Sequence, residues 1–177
     1  MDNSLYNKYA LALLNIAIEE NKVNEYREEI KELTKILKKN KELVYLLTNK
    51  ITSTSDAFLL IDKIFKSCNV NIRNFIKVIY KNSRIFYLYQ IFKESLYRFD
   101  DYLKIERGTI YSSVKLDEIS INKISKIIEN KINKKIELEN IIDPSLIGGF
   151  KIILKNDIYD TSINNQLVNI RKIIVED

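Results

Sequence analysis

Through the first hundred residues, apolar positions recur at three- and four-residue steps. That period predicts helices over 5–20, 23–39, 42–48, 52–65, 71–80 and 85–104. Tyr26, Ile30, Leu33 and Leu37 mark the buried side of the second. Thr52, Ser53, Thr54 and Ser55 form a cap-rich start for the fourth. No Gly or Pro occurs before Gly108, and the breaks are short polar stretches such as Lys81-Asn82-Ser83. Six helices on short loops should pack as a bundle.

The texture changes at Arg107-Gly108. Residues 109–114 alternate and are rich in β-branched side chains, which predicts a strand. Asp117 caps a helix with Ile121, Ile124, Ile128 and Ile132 on one face. Strands follow over 136–141, 150–154 and 158–159, with turn chemistry at Asp143-Pro144-Ser145 and Lys155-Asn156-Asp157. A last helix is expected over 162–175. The expected fold is therefore mainly α: a six-helix bundle over 1–104, then a small α/β domain over 105–177.

Two helices carry more apolar surface than one core contact needs. On the helix 71–80, Ile72, Phe75, Ile76 and Ile79 share a stripe, and Val78 lies roughly 110° from its centre at about 100° per residue. One exposed Val is ordinary. The first helix has two stripes: Leu5, Tyr9, Ala12, Leu13 and Ile16, and on nearly the opposite side Leu11, Leu14 and Ile18. Either this helix is central, or a partner covers its far side. Together the two helices suggest an apolar groove open to another helix.

Composition narrows the chemistry. The 177 residues include no His and a single Cys, Cys68. Histidine-based catalysis, His-ligated metals and an internal disulfide are excluded. Three glycines, two of them adjacent, cannot write a phosphate-binding loop. Adjacent carboxylates such as Asp100-Asp101 point about 100° apart on a helix and do not converge. No catalytic, metal or cofactor-binding residue is expected. No apolar run reaches the ~20 residues of a membrane span, and the N-terminus has no export signal.

Charge is uneven. Residues 1–104 hold 18 Lys and Arg against 13 Asp and Glu, and residues 105–177 hold 11 against 11. A basic nucleic-acid-binding adaptor is the alternative this suggests. Glu19, Glu20, Glu25, Glu28, Glu29 and Glu32 interleave with the lysines, which favours a solvated face. The 31 Ile, with Lys and Asn in excess, also match AT-rich codons.

The motifs carry more. Tyr9-Ala10-Leu11-Ala12-Leu13, Asn74 to Ile79 followed by Asn82-Ser83-Arg84-Ile85, Ile142-Asp143-Pro144-Ser145-Leu146-Ile147-Gly148-Gly149-Phe150, and Asp157 to Ile163 occur in order. This set resembles the F-type ATP synthase delta subunit family, which includes the mitochondrial oligomycin-sensitivity-conferring protein. Asn156-Asp157 replaces the family's usual Gly-Asp, Asp160-Thr161-Ser162 its Asp-Gly-Ser, and Asn164-Asn165-Gln166 the Arg-rich start of its last helix.

The resemblance implies a non-catalytic stator subunit of the peripheral stalk, present once in a hetero-oligomeric complex. It implies a peripheral position on the cytoplasmic side of the bacterial cell membrane, with no direct membrane insertion and no nucleic acid. The N-terminal bundle would bind N-terminal segments of the alpha subunits through Tyr9, Ala12, Leu13, Val78 and Ile79. The C-terminal domain would bind the C-terminal end of subunit b. Gly148 and Gly149, where a turn meets a strand, either form a plain tight turn or admit that chain.

Overall fold

The computed structural model describes residues 3–49, 53–155 and 157–166. It is mainly helical with one small four-stranded sheet, and it divides into two compact units between Tyr102 and Leu103.

The first unit runs α1 (Asn3–Glu19), α2 (Val23–Lys39), α3 (Lys41–Asn49), α4 (Thr54–Ile64), α5 (Val70–Lys81), a 3₁₀ turn (Ile85–Tyr87) and α6 (Leu88–Tyr102). Both α1 and α2 pack along α6, which supplies Leu88, Ile91, Phe92, Leu96 and Phe99 to the core. Ser53 caps α4 by accepting from the Asp56 N–H, and Asn69 caps α5 by accepting from the Asn71 N–H. Thr52, expected in the same cap region, lies outside the described residues. Arg27 on α2 donates through Nε to Asp100 Oδ1 on α6 at 2.6 Å, with both residues buried.

The long helix expected from residue 85 to 104 is shorter at both ends. Its first turn is the tighter 3₁₀ form, and Lys104 has a left-handed φ of 54°. A left-handed residue cannot continue the helix.

The second unit runs β1 (Ile105–Ser112), α7 (Glu118–Ile132), β2 (Lys135–Ile142), a 3₁₀ turn (Pro144–Leu146), β3 (Phe150–Ile153) and β4 (Ile158–Asp160). The sheet order is β2-β1-β3-β4. β1 and β2 are parallel, joined through α7, while β3 and β4 add antiparallel. Ile110, Ile128, Ile136, Ile152 and Leu154 form its core. Asp117 accepts from the Ser120 N–H at the start of α7, and Asn133 ends the helix at φ 55°.

β1 begins four residues before the expected 109. Its charged opening pair, Glu106-Arg107, pairs in register with Ile136-Glu137, and Arg107 and Glu137 sit 3.6 Å apart. The helix expected over 162–175 is helical over 163–166, with the Asn165 N–H donating to Ser162 Oγ; from 167 onward it lies outside the described residues.

Candidate docking surfaces

The buried seam of α1 runs between its two apolar stripes. Ala10, Leu13, Leu14 and Ala17 face the core. Leu5, Tyr9, Ala12 and Ile16 are left on one flank, and Leu11 on the other at 41% exposure. The first flank meets α5 to enclose a groove of about 480 Å³ lined by Leu5, Tyr9, Ala12, Ile16, Phe75 and Val78, with Lys8, Asn71 and Asn74 on its rim. Val78 is 51% exposed, which its angle from the α5 stripe foretold.

Three of the five expected N-terminal residues, Tyr9, Ala12 and Val78, thus line one groove. Leu13 and Ile79 do not. Both are fully buried, because Leu13 lies on the α1 seam and Ile79 on the α5 core stripe, so neither offers surface to a partner.

Polar contacts lock the two walls together. Asn82 Nδ2 donates to the Tyr9 hydroxyl at 3.0 Å, and the Tyr9 ring meets Phe75 edge-on at 6.1 Å. At the other end Asn71 Nδ2 donates to Glu20 and, at 3.1 Å, to the Tyr26 hydroxyl. Tyr26 in turn donates to Glu20 Oε2 at 2.7 Å. Burial first, and the neighbouring Glu20 second, push the Tyr26 phenol up to about 12. Nothing in the sequence announces the Asn71 and Asn82 contacts. An Asn before or after a helix announces a cap, and nothing local says which distant helix it will reach.

In the second unit the two glycines have an internal explanation. A Cβ on Gly149, at φ +75°, would lie 2.5 Å from the Thr161 carbonyl oxygen; one on Gly148 would lie 2.7 Å from Ile163 Cδ1. The close approach they allow is that of this chain's own 161–163 segment, so an internal turn accounts for both glycines. That segment is held by the Ile163 N–H to the Gly148 carbonyl at 3.1 Å and the Thr161 N–H to the Phe150 carbonyl at 2.9 Å.

Beside it, Ile147 has φ 60° and ψ −44°, spanned by a Gly148 N–H to Leu146 carbonyl bond of 2.6 Å. This is a three-residue γ-turn of the rarer hand, strained for a β-branched side chain. Ile147 is nonetheless 68% exposed, and Ile142 and Ile163 are exposed as well. Asp143 accepts from the Ser145 hydroxyl and N–H, and Asp160 from those of Ser162; these hydrogen bonds hold both carboxyls below the usual carboxylate range.

Among the described residues no group of three or more His, Cys, Asp or Glu could hold a metal, and no helix is long and apolar enough to cross a membrane. Burial and nearby Glu29 raise the Cys68 thiol to about 11, which leaves it unreactive at neutral pH.

An open apolar groove on a helical unit, followed by a small mixed sheet with an exposed turn, defines a mainly helical protein of two units. A family model described as ATP synthase delta (OSCP) subunit matches residues 5–174. The ATP synthase subunit delta of Mycoplasma mobile is 40% identical over 169 residues, 95% of this chain and 94% of its own length. That of Wigglesworthia glossinidia brevipalpis is 37% identical over 159 residues, 90% and 89% of the two chains. The fold also matches a chain in the cryo-EM structure of the Toxoplasma gondii mitochondrial ATP synthase hexamer, with a TM-score of 0.66, 14% identity and 97% coverage of both.

The chain belongs to the ATP synthase delta (OSCP) subunit family. It is a structural stator subunit of the peripheral stalk, with no enzymatic activity of its own.

Proposed function

We propose that this subunit joins the catalytic head to the peripheral stalk through two surfaces. Helices α1–α6 act as a six-helix bundle whose α1/α5 groove receives an N-terminal segment of an alpha subunit as a helix. The second unit, from about residue 103 onward, takes the C-terminal end of subunit b at the exposed Ile142–Ile147 turn. The complex sits at the cytoplasmic face of the cell membrane with one copy of this chain. Held at both ends, the head cannot follow the rotating central stalk, so rotation is converted into ATP synthesis.

The groove is the observation that carries this reading. Its floor is apolar, its length along α1 from Leu5 to Ile16 is about three turns, and helix-in-groove recognition needs that shape. Val78→Asp places a charge on the open wall. It should weaken binding of an alpha-subunit N-terminal peptide by about tenfold or more, while the thermal melt followed by circular dichroism stays in place. A melt that collapses would return Val78 to the core, and unchanged binding would move the site elsewhere.

A further inference from the structure

The groove between α1 and α5 has ends of opposite charge. The Tyr9–Asn82 bond fixes one end, and the Asn71–Glu20 bond fixes the other, so α1 and α5 run antiparallel along it. Lys8 lines the groove at the first end, and Lys81 is the last residue of α5, next to Asn82 at that same end. Both are exposed, and neither forms an ion pair among the described residues. Glu19 and Glu20 mark the second end, also exposed; Lys22, in the turn after them, offsets part of their charge. Between these ends the walls are apolar.

We propose that the groove selects an amphipathic helix with a charge at each end of its apolar stripe: acidic side chains over Lys8 and Lys81, basic ones over Glu19 and Glu20. This rests on the reading of the groove as a helix receptor and adds what that helix must carry. The apolar floor supplies affinity and tolerates any helix with a suitable stripe. The charges distinguish among such helices and set how the bound one lies, because a reversed charge pattern puts like charges together at both ends.

Three synthetic peptides test it on the full chain. All share one apolar stripe of three turns. The first has a Glu pair at its N-terminal end and a Lys pair at its C-terminal end, the second has these exchanged, and the third has Gln at all four positions. One of the two charged peptides should bind about fivefold tighter than the Gln peptide at low salt, with the gap closing as ionic strength rises. In K8E/K81E the ratio of charged-peptide to Gln-peptide affinity, both measured on the same variant, should fall to about one. Equal binding of all three peptides overturns the proposal and leaves the receptor reading standing, as does a preference that survives K8E/K81E. Failure of every peptide to bind overturns both.

Discussion

Asn82 Nδ2 donates to the Tyr9 hydroxyl across 73 residues of sequence, tying the cap of α5 to the second turn of α1 at 3.0 Å. The bond holds one end of the groove at a fixed width, with the Phe75 ring against Tyr9 below it. Asn82→Ala removes the donor and leaves the hydroxyl to water. We expect a stability loss of about 0.5–1.5 kcal/mol, read from urea denaturation. Binding of an alpha N-terminal peptide should weaken by more than the lost stability accounts for, and Tyr9→Phe should reproduce both effects.

Ala12 and Leu13 are neighbours with opposite fates. Leu13→Ala opens a cavity on the α1 seam and should cost about 2–5 kcal/mol. Ala12→Asp sits on the exposed groove floor, so stability should move by no more than about 0.5 kcal/mol while peptide binding is lost. Denaturation and binding measured on the same two variants check the pair. The reverse pattern would place the core seam one residue away.

Gly149→Ala adds a Cβ against the Thr161 carbonyl at a left-handed backbone position. The expected loss is about 1 kcal/mol or more. Because the clash is internal, binding to a subunit b fragment, scaled to folded molecules, should be normal. Reduced binding with unchanged stability would restore the glycines as partner contacts.

Alkaline pH should loosen the helical unit. Tyr26 and Cys68 are neutral when protonated, and folding raises them from 10.0 to about 12 and from 9.0 to about 11. Their contribution is complete below pH 9 and is lost as pH climbs through 11 and 12. The urea midpoint should therefore fall over that range. Tyr26→Phe combined with Cys68→Ser should fall less steeply, with lysine titration common to both proteins.

The sequence announced the elements better than their orientation. Asp117 and the Ile121–Ile132 spacing located α7 to within a residue, because cap and stripe agree. The period of α1 was equally clear, yet its seam was hidden. Two of the four seam residues are Ala10 and Ala17, which add little hydrophobic signal, while larger side chains on both flanks draw the eye. For that reason Leu13 reads as part of a flank although it lies in the buried seam. Val78 was legible because the remaining apolar residues of α5 already formed one complete stripe. Glu106-Arg107 reads as a polar break in isolation, and only pairing with β2 makes it strand. Gly148 and Gly149 announced a close approach without saying which segment makes it.

The groove draws one wall from residues 5–16 and the other from residues 71–78. Neither stretch presents it alone, and the polar ties at its ends join α1 to α5. A chain still emerging from the ribosome has no such surface until its fifth helix has closed on its first. With the proposed docking, recruitment through this groove would admit only subunits whose folding is complete, and a half-formed copy would be passed over before it could enter a complex it would leave without a brace.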